Sequence, residues 1–326
     1  MQPSPPPPPE ASTPLLVAVV GATATGKSDL ALALAGALGG EVVNADASQL
    51  YRGMDIGTAK VPVTERLGIP HHQLDVLDLR DVASVAAYQR EARADLDAVV
   101  GRCHLPVLVG GSGLYVRAAL DRLDIPPTDA GVRERLQERT DREGASAAHA
   151  RLAELDPKAA AAILPTNARR IVRALEVIEL TGRPFSASLP ERVYRRPTLA
   201  LGLTEDLDVL DERIEARVHR MWAAGLIEEV QELLDRGLRE GPTSAKAVGY
   251  VQAIAQLDGV LTQDEAIAAT TAATRRLARR QRSWFGPDER IRWLRPPSSD
   301  RDAWHEQVVA AVRAVLAGDP WPADLG

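Results

Sequence analysis

Eight consecutive residues carry the first recognisable chemistry. Gly21, Ala22, Thr23, Ala24, Thr25, Gly26, Lys27 and Ser28 fit the pattern G-x-x-x-x-G-K-[ST] in full. Such glycines let backbone N–H groups curl round a phosphate, and a helix starting there adds partial positive charge. Lys27 adds a full charge, and the Ser28 hydroxyl suits Mg²⁺. A di- or triphosphate, as in ATP, is the expected ligand. Phosphoryl-transferring enzymes of this kind normally place a metal-holding acid after a second apolar strand. Here the run at 106–109 (PVLV) enters Gly110, Gly111, Ser112 and Gly113 instead. The acid follows another apolar run, as Asp46, so diphosphate reads as a leaving group rather than a phosphoryl donor.

A carboxylate at the end of a parallel strand beside a phosphate cradle is a candidate general base or metal ligand. The residues after Asp46 are Ala47, Ser48 and Gln49. The Gln49 amide can both donate to and accept from an adenine edge. Asp46 and Gln49 also have the spacing of a helix N-cap and its capping-box partner, and both readings stand. Lys60 is expected to be exposed in a loop. His71 and His72 are adjacent, point in different directions and suit structural roles better than a metal.

These residues need a frame. Short apolar runs at 15–20, 41–45, 106–109, 198–203 and 291–294 predict buried parallel strands; helical patterns lie at 28–38, 82–100 and 303–316. The expected fold is α/β, a P-loop-type parallel sheet core flanked by helices, built from 15–121 and 198–317. From 122 to 197 strand signals vanish, and Arg-rich amphipathic helices predict an inserted all-helical domain. Residues 1–14 predict a disordered proline-rich tail without signal-peptide features, and 318–326 a C-terminal tail.

Composition bounds the rest. The 326 residues are 45% apolar and 26% charged, which fits a globular protein. The net charge of −6 speaks against a general polyanion-coating protein. Cys103 is the only cysteine, which excludes an intrachain disulfide and a cysteine-built zinc site. No apolar run approaches the roughly 20 residues that span a bilayer, so a cytoplasmic protein without membrane contact is expected. Lysine occurs only at 27, 60, 158 and 246, and the remaining cations are arginines.

The runs GATATGKS, NADASQLYRGMDIGTAK, PHHQLDVLD and GGSGLYVRAAL together resemble the tRNA dimethylallyltransferases, or tRNA isopentenyltransferases. RRIVRALEVIELTGRP, ERIEARVHRMWAAGLIEEV, KAVGY and RRQRSWF fit the same family, so the resemblance spans about 15–294. It implies transfer of a dimethylallyl group from dimethylallyl diphosphate to N6 of adenosine 37 of tRNA, beside the anticodon. The P-loop would hold the isoprenoid diphosphate with Mg²⁺, and the partners would be that diphosphate and the anticodon stem-loop; a monomer is expected. Asp46 matches the family's base on the adenine amine. Ser112 stands where threonine is usual and keeps a hydroxyl. Arg217 matches the arginine that steadies the departing diphosphate. On a helix it sits about 60° from Ile214, at the rim of the Ile214, Val218 and Met221 stripe. Its bland alternative is a solvated arginine paired with Glu215 or Asp211.

For tRNA, the resemblance implies contacts from Asp46, Ala47, Ser48, Gln49, Ser112 and Arg133. Arg169, Arg170, Ile171, Val172 and Arg173 would contribute from the insertion, and Lys246, Gly249 and Tyr250 near the anticodon loop. A second arginine cluster at 275–282, with Arg279, Arg280 and Gln281, ends in Trp284 and Phe285, rings suited to stacking a base. Departures from the family are Gly286 for a frequent arginine and Ala47 for a frequent serine. Competing functions are prenylation of free adenine nucleotide, small-molecule phosphorylation and non-catalytic tRNA binding. The helical insertion speaks against the first, the missing strand-end acid against the second, and the phosphate cradle against the third.

Overall fold

The computed structural model describes residues 15–188, 192–323 and 325, so the proline-rich 1–14 lies outside the described residues. Its first half runs β1 (Leu16–Gly21), α1 (Lys27–Leu38), β2 (Gly40–Asn44), β3 (His71–His72), α2 (Val85–Gly101), β4 (Leu105–Gly110) and α3 (Gly113–Leu120). Four helices follow: α4 (Ala130–Glu143), α5 (Ala145–Leu155), α6 (Pro157–Ala162) and α7 (Ala168–Thr181). The chain then forms β5 (Thr198–Leu203), α8 (Leu207–Ala223), α9 (Leu226–Asp235), α10 (Tyr250–Leu257), α11 (Gln263–Phe285), β6 (Ile291–Leu294) and α12 (Arg301–Leu316).

All six strands join one parallel sheet in the order β3-β2-β4-β1-β5-β6. Every residue of β1 and β2 is buried, as strands covered on both faces must be. Leu30 and Leu34 of α1 and Val308 and Val312 of α12 pack with Val17, Val19, Val107 and Leu201 of the sheet. A second core joins α8 to α11 through Ile214, Val218, Leu226, Val230, Tyr250 and Ala278. The order β2-β4-β1 matters most for chemistry. It sets the loops that leave these strands side by side at the carboxyl edge, where parallel sheets bind ligands.

The edge strand β3 pairs His71 and His72 with Val42 and Val43. Two residues carry no periodicity, so the sequence does not announce it. His72 bonds the buried Glu41 carboxylate at 2.6 Å, and Arg102 and His104 reach the same group. The Arg102 hydrogen bond outweighs burial and, with both histidines, holds Glu41 down at about 2. The histidines are therefore structural.

The chain divides into two compact units, Asp121–Val193 and the sheet-bearing remainder. The smaller unit holds α4 to α7 around Leu136, Leu152, Ile171 and Leu175. Its boundary falls before the expected 197 because Tyr194 takes Arg290 over its ring at 3.9 Å and Arg195 donates to the Leu120 carbonyl. The expected C-terminal tail touches the core. Trp321 and Leu325 pack against the sheet core, and Arg292 lies 5.7 Å from the Trp321 ring.

Candidate active site

The P-loop leaves β1 and enters α1 through Gly26, whose φ of 93° lies in the left-handed region that glycine adopts without strain. Ala24 also has positive φ, 64°. Thr25 is buried and donates to the Ala22 carbonyl at 2.9 Å, while Lys27 Nζ donates to the same carbonyl at 2.6 Å. The Thr23 N–H donates to Gln281 Oε1 at 2.9 Å. Gln281 is buried beneath the loop. The expectation that it contacts tRNA is thus corrected: it is a brace for the cradle. Burial, and then Arg217, lower Lys27 to about 8, while Asp46 opposes them.

Asp46 is held from both sides. Its N–H donates to Asn44 Oδ1 at 3.0 Å, and Asn44 Nδ2 donates back to the Asp46 carbonyl at 3.0 Å and to that of Gln73 at 2.9 Å. Its Oδ1 accepts from the Ser48 N–H at 3.0 Å and the Ser48 hydroxyl at 2.7 Å. This is a local turn, so the capping-box alternative is corrected. Gln49 Nε2 donates to the Thr58 carbonyl at 3.1 Å, which engages the donor side of the amide expected to read a base. Ser112 accepts from the Ala47 N–H at 3.3 Å and donates its own N–H to the Ala45 carbonyl, also at 3.3 Å. The Asp46 and Ser112 loops are thereby tied together. Asn44 is a positioning residue that the sequence reading missed; an asparagine ending a buried apolar strand was its signal.

Arg217 projects from α8 above buried Ile214 and Val218. The acids expected to neutralise it are taken: Asp211 pairs with Arg279 at 2.7 Å and Glu215 with Arg275 at 2.7 Å. Arg217 lines a cleft of about 1090 Å³ with Lys27, Ser28, Arg220 and Met221. Burial lowers its pKa; Asp46 raises it and Arg220 lowers it further. Asp46 and Ser112 are not among the cleft's walls. Asp46 acts on the cleft through its field on the two cations.

The facing wall is the loop that contains Asp55, Ile56 and Lys60. Glu229, another residue missed in the sequence, accepts from the N–H groups of Asp55 at 3.1 Å and Ile56 at 2.7 Å. Tyr250 donates to Glu229 at 2.6 Å. Tyr250 is wholly buried and fastens this wall through Glu229, with Gly249 buried beside it, so the Tyr250 ring expected near the anticodon loop is a packing residue. Lys60, expected to be exposed, is buried between Asp55 at 2.5 Å and Asp75 at 2.6 Å.

The arginine clusters also sort by partner. In the helical unit, Arg133 and Arg173 both bond the buried Glu176, at 3.0 and 2.8 Å. Burial alone would raise that carboxyl, but Thr128, Arg173, the Asp129 N–H and Arg133 hold it at about 2. Ile171 and Val172 are buried in that unit's core. Of these expected tRNA contacts, Ile171 and Val172 are thus core residues and Arg133 and Arg173 are paired but still solvent-accessible, whereas Arg169 and Arg170 are exposed with no ion pair among the described residues. On α11, Arg279 pairs with Asp211 while staying half-exposed, and Phe285 is buried, which corrects the expectation that its ring stacks a base. The acids the cluster lacks in sequence arrive from α8. Arg276 and Arg280 remain exposed without ion pairs among the described residues, one turn apart and in line with half-exposed Trp284. A Cβ on Gly113 would overlap the Trp284 ring, so this row ends beside Ser112. Lys246 is exposed.

No described helix is long and apolar enough to cross a membrane. Residues 49–288 match the sequence profile of the IPP transferase family. A tRNA dimethylallyltransferase of Kineococcus radiotolerans is 59% identical over 288 residues, covering 86% of this chain and 91% of its own. One from Streptomyces coelicolor is 57% identical over 288 residues, with 88% and 92% covered. The crystal structure of the full-length tRNA isopentenylpyrophosphate transferase from Bacillus halodurans is 39% identical, with a TM-score of 0.70 and coverage of 94% and 98%. With a profile matching most of the chain and relatives 59% and 57% identical over 288 residues, the chain belongs to the IPP transferase family.

Proposed function

We propose that the protein transfers a dimethylallyl group from dimethylallyl diphosphate to N6 of adenosine 37 in tRNA, releasing diphosphate. The observation that carries this reading is the pairing of a full phosphate cradle with a braced carboxylate, Asp46, that lies outside the cleft. Diphosphate would lie in the cleft under Lys27 and Arg217, and the amine would approach from the Asp46 side. The allylic C1–O bond breaks, its electron pair leaves with diphosphate, and a C1–N6 bond forms as Asp46 accepts the amine proton. Charge grows on the leaving diphosphate, so Lys27 and Arg217 act where stabilisation is most effective. The target base must leave its stack to be reached.

Mg²⁺ fits this arrangement. The Ser28 hydroxyl lines the cleft and has no hydrogen bond among the described residues, and Mg²⁺ commonly takes its remaining ligands from phosphate and water. It would offset charge on the diphosphate. The reading puts the enzyme in the cytoplasm as a monomer, since one chain supplies the cradle, the base and the free cations.

Incubation with dimethylallyl diphosphate, Mg²⁺ and unmodified tRNA, followed by digestion and mass analysis, should yield an adenosine heavier by one dimethylallyl group. Modified free nucleotide with untouched tRNA, or ATP hydrolysis alone, would overturn the reading. For tRNA docking, the free row of Arg276, Arg280 and Trp284 replaces the cluster as a whole. Changing Arg276 and Arg280 to Ala should weaken tRNA binding and lower its salt slope by about one per lost contact. Arg279→Ala should change the slope less, because Asp211 already neutralises Arg279. Equal slopes for all three variants would remove this row from the interface.

A further inference from the structure

The cleft holds more positive charge than its acids offset. Lys60 uses Asp55 and Asp75, and Arg213 is paired with Glu205 at 2.7 Å. That leaves Lys27, Arg66, Arg217, Arg220 and Arg301 facing Asp29 and Glu65. Arg301 is the least expected of these. It is the first residue of α12, lies beyond the end of the family profile at 288, and is only partly exposed. A Cβ placed on Gly26 would stand 3.1 Å from Arg301 Nη1, so the guanidinium rests on the turn from which α1 begins. Asp29 is the acid nearby, yet no ion pair joins them. The preceding Asp300 has φ 57°, a left-handed conformation that turns the chain sharply into α12. A guanidinium beside the positive end of a 12-residue helix, and beside Lys27, is repelled by both. An anion seated on the cradle converts that repulsion into attraction and gives the planar N–H fork a partner it matches.

Resting on the function proposed above, we infer that Arg301 is a second guanidinium donor to the diphosphate, binding it from the α12 side while Arg217 binds it from α8. Titration calorimetry on the full chain with dimethylallyl diphosphate and Mg²⁺, in the absence of tRNA, tests this. Arg301→Ala should weaken binding roughly 10- to 100-fold, as expected when a hydrogen bond to a charged group is lost. Arg301→Lys should recover only part, since an ammonium keeps the charge and loses the fork. Affinity for tRNA should not move, and the melting temperature of the ligand-free chain should not fall. Wild-type affinity in Arg301→Ala, or parallel losses of diphosphate and tRNA binding, overturns the inference. Should Arg301→Ala fail to fold, Arg301→Lys decides: weaker diphosphate binding supports the role and unchanged binding removes it. A wild-type chain that does not bind the diphosphate at all would instead sink the proposed function.

Discussion

Asp46→Asn should lower single-turnover transfer by roughly 10²- to 10⁴-fold, the range for removal of a positioned general base, while tRNA binds with nearly unchanged affinity. The substitution suits the site. An asparagine carbonyl still accepts from the Ser48 N–H and hydroxyl that Asp46 engages at 3.0 and 2.7 Å, so the local turn survives. The Asn44 clasp uses only the Asp46 backbone and survives as well. What disappears is the proton acceptor and its negative charge. Asp46 counteracts the depression of both Lys27 and Arg217, so the variant should also bind dimethylallyl diphosphate less well above pH 8, where more Lys27 is neutral. Rates measured at saturating substrates, with tRNA affinity measured separately by filter binding, distinguish the roles. A fall in rate matched by an equal fall in tRNA affinity would make Asp46 a recognition residue.

The P-loop and Asp46 are legible in sequence because their chemistry is local: eight adjacent residues make the cradle, and a strand end carries the acid. The parallel sheet is legible too, through five apolar runs. The rest depends on partners far along the chain. Gln281 braces Thr23 from 258 positions away, and nothing in the string RRQRSWF distinguishes it from its arginine neighbours. The cluster at 275–282 looks uncompensated because its acids, Asp211 and Glu215, lie on another helix. Arg133 reads as a free cation for the same reason, its partner Glu176 lying on α7, and Glu176 also pairs with Arg173 three residues before it on that helix. Tyr250 and Lys60 each look like surface residues until Glu229, Asp55 and Asp75 are brought to them. Charge counted along a sequence thus overstates the interface. After pairing, Arg169 and Arg170 of the helical unit and, separately, Arg276, Arg280 and Lys246 of the sheet-bearing unit remain exposed without ion pairs among the described residues.

Arg217→Gln should lower the rate of transfer by roughly 10²- to 10³-fold, the cost of removing one donor aimed at developing charge, and it should also change a titration. Lys27 sits near 8 because burial, and secondarily Arg217, disfavour its charged form. In the free enzyme at pH 8 about half of it is neutral. Bound dimethylallyl diphosphate favours the ammonium, so binding between pH 8 and 9 takes up a proton and affinity falls as pH rises through this window. Removing Arg217 lifts the pKa of Lys27 toward its ordinary 10.5, which moves that fall to higher pH and shrinks proton uptake at pH 8. Calorimetry in buffers of different ionisation enthalpy reads the uptake without any turnover. The same depression affects folding: the penalty for burying a charged Lys27 is full below pH 8 and is relieved as pH rises from 8 toward 10.5. Proton uptake that is identical in wild type and Arg217→Gln would show that the two cations do not share one ligand site. A rate loss without that shift would leave Arg217 a structural residue of α8 rather than a donor to the leaving group.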